Sequence, residues 1–70
     1  MTNTDLLRQR IKSSGLKLEY IASKLGISRY ALTMKIQNDT EFKVSEVQKM
    51  CDVLAIDDID ERENIFFAMK

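Results

Sequence analysis

Histidine and cysteine, the side chains that most often serve metal sites and nucleophilic catalysis, are nearly missing from these 70 residues. There is no histidine, and Cys51 is the single cysteine, so neither a zinc site nor histidine-based catalysis is expected. A lone thiol forms no internal disulfide and fits a reducing cytoplasm. The chain is therefore expected to be no enzyme, with no cofactor, no metal and no small-molecule substrate. Recognition by charge and hydrogen bond is the chemistry left to it. Eleven Lys and Arg balance eleven Asp and Glu overall, but not locally. Residues 8–43 hold eight cations (Arg8, Arg10, Lys12, Lys17, Lys24, Arg29, Lys35 and Lys43) against three anions. Residues 44–70 hold three cations against seven anions. A basic segment is thus fused to an acidic one, although solvated helix faces that merely segregate would give the same split.

These residues must be positioned by helices. No period-2 run of β-branched and aromatic residues marks a strand, and no Asn-Gly or Asp-Gly marks a hairpin. Thr2, Asn3 and Thr4 offer an N-cap to a first helix over about residues 4–14, with Leu7 and Ile11 inward and Gly15 as its stop. Leu18, Ile21, Ala22 and Leu25 repeat at i, i+3, i+4, i+7, and Gly26 ends that second helix. Ser28 caps a third helix with Ala31, Leu32 and Ile36 inward. Residues 37–43 read as a polar loop with Phe42 as its one aromatic anchor. Ser45 and Gln48 have capping-box spacing for a fourth helix carrying Val47, Met50, Cys51 and Leu54. Asp57 or Asp58 caps a fifth, with Ile59, Ile65, Phe66 and Met69 as apolar contacts. The expected fold is all-α: one domain over residues 1–70, a compact five-helix bundle. At 44% hydrophobic with no proline, the composition is that of a folded chain. No apolar run approaches the roughly 18 residues of a membrane span, and no signal-peptide layout opens the chain.

The most specific spacing lies in residues 18–36. Ala22 is followed four residues later by Gly26, then Ile27, Ser28 and Leu32. Two helices that meet steeply need a small residue where they touch, which Ala22 supplies. Their short connection needs φ > 0, which Gly26 adopts without Cβ strain. Ile27 plugs the turn, Ser28 caps the next helix, and Leu32 packs it back. This is the layout of a helix-turn-helix. With Leu32 and Ile36 inward at about 100° per residue, Tyr30, Thr33, Met34 and Gln37 point outward, flanked by Arg29 and Lys35.

Residues 18–36, LEYIASKLGISRYALTMKI, resemble the Cro/repressor class of phage helix-turn-helix proteins, also called the XRE family. The likeness continues through the polar loop, Phe42 and the helix with Val47 and Cys51, covering about residues 6–56. Two positions depart from the class. Leu18 stands where many members carry Gln, and Gln37-Asn38 stands where many carry Asn-Gly. The resemblance implies a five-helix bundle that binds double-stranded operator DNA, commonly as a homodimer, with the helix after the turn in the major groove. The class's base-reading positions fall on Arg29, Tyr30, Thr33 and Met34. Arg29 suits the O6/N7 edge of guanine, and Thr33 and Met34 suit a thymine methyl. Lys17, Lys24, Ser28, Lys35, Gln37, Asn38 and Lys43 are the expected phosphate contacts.

Two readings follow. The first is a small Cro-like regulator in the cytoplasm of a bacterial host that binds operator DNA. The alternative is a modulator or antirepressor that acts on a cognate phage repressor, like the modulators of repression of temperate phages of Gram-positive hosts. The absent Gln and the acidic C-terminal third favour the alternative. Its partner surface would be Asp57, Asp58, Asp60, Glu61 and Glu63, with Phe66 or Phe67 as apolar anchor.

Overall fold

Helix starts and stops set by local chemistry divide the chain into five helices. The structure, a computed structural model, describes residues 1–68. It is all-helical: α1 Thr4–Ser14, α2 Leu18–Leu25, α3 Arg29–Ile36, α4 Val44–Leu54 and α5 Ile59–Phe66. Asn3 Oδ1 accepts from the Leu6 N–H (3.1 Å) at the start of α1, and Ser28 Oγ accepts from the Ala31 N–H (3.0 Å) at the start of α3. Asp58, rather than Asp57, caps α5 by accepting from the Asp60 N–H at 3.1 Å. Gly15 and Gly26 end α1 and α2 at φ of 73° and 75°.

The start of α4 differs from expectation. Ser45 lies inside the helix, whose N-cap is Lys43, two residues earlier. Glu46, not Gln48, reaches back, its Oε1 accepting from the Lys43 N–H at 2.8 Å. Lys43 and Glu46 have the same three-residue spacing as Ser45 and Gln48, and Glu46 is also paired with Lys35 at 3.0 Å. Two apolar assignments also change. Ile59 is 66% exposed, because as the first residue of α5 it precedes the turn that meets the core, and Ala31 is only half-buried. Met69 lies outside the described residues.

One connected core unites all five helices. Leu7, Ile21, Leu32, Met50 and Leu54 are fully buried at its centre. α2 packs on α3 and α4, and α1 packs on α3, α4 and α5. Phe42 anchors the 37–43 loop edge-on against Phe66, with ring centroids 5.5 Å apart and planes at 87°. Among the described residues no helix is long and apolar enough to cross a membrane.

Candidate nucleic-acid interface on the third helix

Leu32 and Ile36 bind α3 to the core along one side, and this sets what its other side presents. Arg29 and Tyr30 are exposed, Tyr30 at 74%, while Thr33 and Met34 are half-buried beside them. Positions 29, 30, 33 and 34 share one helical face by register. The Thr33 hydroxyl donates to the Arg29 carbonyl (3.0 Å), so its methyl group is what the side chain has left for a partner. The connection to α2 is tight: the Ile27 N–H donates to the Ala22 carbonyl (3.1 Å), Ala22 is buried, and Ile27 packs on the core.

The cations around this face divide into free and engaged. Lys17 at the N-cap of α2, Lys24 in its last turn and Lys43 before α4 are exposed. The Lys24 ammonium sits 5.3 Å from the centroid of the Tyr20 ring, a contact that steadies the side chain without removing its charge. Gln37 is exposed at the C-cap of α3. Ser28 is exposed too, with its Oγ already accepting the cap bond.

Two expected phosphate contacts leave the set. Lys35 Nζ lies 3.0 Å from Glu46 Oε1 and donates to the Glu41 carbonyl at 3.0 Å, with its side chain only 12% exposed. Asn38 stays exposed, but its side-chain amide is engaged with Thr2, accepting from the Thr2 N–H (2.8 Å) and donating to the Thr2 carbonyl (2.6 Å). Both side chains are already engaged within the chain, Lys35 with Glu46 and Glu41 and Asn38 with Thr2.

Arg8 and Lys12 on α1 are additions to the basic side. They line a hollow whose apolar wall is Ile11, Leu18 and Ile36, so α1 delivers two cations to the start of α2 and the end of α3. Their i, i+4 spacing was visible in the sequence, but nothing there tied that face of the first helix to the third. Glu46 is a third residue that periodicity passed over. Burial pushes its carboxyl up. The Lys43 N–H, the Lys35 hydrogen bond and the charges of Lys35 and Lys43 outweigh that and hold it below its ordinary value.

The acidic surface is only partly as expected. Asp57, Asp58, Asp60 and Glu63 are exposed, but Glu61 is paired with Arg10 at 2.9 Å and Asp58 spends one oxygen on its cap. Phe67 is 40% exposed, with the Arg62 guanidinium 6.0 Å from its ring centroid. Phe66 is in the core. Burial pushes the Cys51 thiol up; Arg62 opposes this, and Asp52 and Glu61 reinforce it. Buried and held as the neutral thiol, Cys51 is a packing residue.

Comparison of the chain with protein-family models, with curated proteins and with solved structures returns no match.

Proposed function

We propose that this chain is a small transcriptional regulator, similar to the Cro/XRE class, in which α2, the Gly26 turn and α3 act as a helix-turn-helix on operator DNA in a bacterial cytoplasm. The observation that carries the reading is the two-sidedness of α3. Its inner side is locked in the core by Leu32 and Ile36, and its outer side offers Arg29, Tyr30, Thr33 and Met34 on a rigid, capped helix. Arg29 is the specifying side chain, its planar fork matching two acceptors on one guanine. Lys17, Lys24 and Lys43, joined by Arg8 and Lys12, supply the sequence-independent attraction to phosphate.

The test is selection of bound duplexes from a random-sequence library, followed by titration of the enriched site. Arg29→Ala is expected to cost about 1–3 kcal/mol and to relax preference at one base pair. Lys17→Ala is expected to weaken all sequences alike and to reduce the salt slope by about one phosphate contact. Failure to enrich any sequence, or equal loss from Arg29→Ala on selected and random DNA, overturns the reading.

A further inference from the structure

The seam between α1 and α5 opens as a groove of about 500 Å³, and α3 contributes nothing to its lining. Its apolar floor is Leu6, itself 38% exposed, with Ile65 beneath. Its rim carries Asp58 and Asp60, and its one cation, Arg10, is held by Glu61 at 2.9 Å and by the Ala55 carbonyl at 3.1 Å. A second hollow shares Leu6 and Asn64 with the first and extends the seam to Glu63 and Phe67. The Asp60 and Glu63 carboxylates accept no hydrogen bond and form no ion pair among the described residues. An apolar trough with uncompensated acids along one bank is therefore open to solvent.

We propose that this seam is a docking surface for a basic amphipathic helix of another protein. An aliphatic side chain of that helix sits on Leu6, and its Lys or Arg residues meet Asp60 and Glu63. Charge selects this occupant over a second copy of the chain. A two-fold interface puts the same patch against itself, so Asp60 and Glu63 would face their own equivalents with Arg10 already neutralised. Like charges across an interface disfavour that pairing, and opposite charges steer encounter and set register. A helix laid in a groove reads such a surface with apolar anchors at i and i+3 or i+4. The proposal does not depend on the DNA reading, since it uses a different face and a different class of partner.

The test titrates the full chain with two synthetic amphipathic helices, one of Leu and Lys, the other of Leu and Glu, following anisotropy and the amide spectrum. The Leu/Lys helix is expected to bind and to shift the amides of α1 and α5, and the Leu/Glu helix is not. Asp60→Asn combined with Glu63→Gln, or Leu6→Asn alone, is expected to weaken binding by about tenfold or more. Removing the same charge elsewhere, by Glu19→Gln with Asp52→Asn, is expected to leave it within about twofold. All these positions are exposed, and circular dichroism checks that each variant folds. Absence of binding, equal binding of both helices, or equal loss from the Glu19 and Asp52 control overturns the proposal. So does a dimer in sedimentation that Leu6→Asn dissolves.

Discussion

Lys35 and Glu46 lie 3.0 Å apart with side chains only 12% and 9% exposed, which places their pairing outside the regime of solvent-screened surface bridges. Removing one partner leaves the other charge shielded from water. Lys35→Ala is expected to cost about 1–3 kcal/mol in chemical denaturation, the scale for removing a hydrogen bond to a charged group. It is also expected to leave the salt slope of DNA binding unchanged, which separates it from Lys17. The pair predicts a pH dependence of definite sign. Glu46 has a folded-state pKa below its ordinary value of 4.5, so its ionised form is the stabilising one. That contribution is complete at neutral pH and is lost as the pH falls below about 4.5 and through the lower folded value. Glu46→Gln is expected to be less stable than the parent at neutral pH and to lose less stability between about pH 5 and pH 3. Parallel decline of the two proteins would show that the pair stabilises nothing.

At the scale of the elements, the helix ends hold a contrast between matched and mismatched residues. α2 ends on Gly26, whose φ of 75° carries no Cβ penalty. α4 ends on Ala55 in the same left-handed region, at φ 56°. An alanine there is strained, so Ala55→Gly is expected to raise stability by about 1 kcal/mol and the melting temperature by several degrees. Its carbonyl still accepts from Arg10, because that contact is with the backbone. A lower melting temperature would mean that the added freedom of the unfolded chain outweighs the relief. α3 makes the opposite case. It is an eight-residue helix, too short to hold its shape alone, and Leu32 is its fully buried anchor. Leu32→Ala is expected to cost about 2–5 kcal/mol. A nearly unchanged melting temperature would mean that α3 faces the other way, and Arg29 would lose its outward side with it.

At the scale of the whole molecule, the first residues work as a clasp. The Asn3 N–H donates to the Ile65 carbonyl (2.6 Å), and the Ala68 N–H donates to the Met1 carbonyl (2.9 Å). Thr2 exchanges two bonds with the Asn38 side chain, and the Thr4 hydroxyl donates to the Ile36 carbonyl at 2.7 Å. The ends of α3 and α5 are thereby tied to one strip of backbone. Asn38 itself has φ 67°, so glycine would relieve its backbone while deleting both side-chain bonds. Asn38→Gly is nevertheless expected to lose about 1 kcal/mol, because the two bonds exceed the relief. Amide exchange should show faster opening at the start of α1 and the end of α5. A gain in stability would mean that the clasp adds little to the fold.

The five helices, their order and most of their inward stripes were legible in the sequence. Each rests on information within one or two turns: the Asn3 and Ser28 caps, the Gly15 and Gly26 stops, and the i, i+3, i+4, i+7 repeats of α2 and α4. The outward face of α3 was legible for the same reason, since fixing Leu32 and Ile36 inward fixes its other side by geometry. What needed tertiary structure was the fate of polar side chains whose partners lie far along the chain. Lys35 and Asn38 looked like unpartnered polar residues, but Lys35 is spent on Glu46, eleven positions away, and Asn38 on Thr2, thirty-six away. Arg10 and Glu61 neutralise each other across fifty-one positions, which redraws the acidic surface that composition had suggested. Periodicity reports which side of a helix is wet or dry. It carries no information about which distant helix will be packed against it, and so none about which charges will meet.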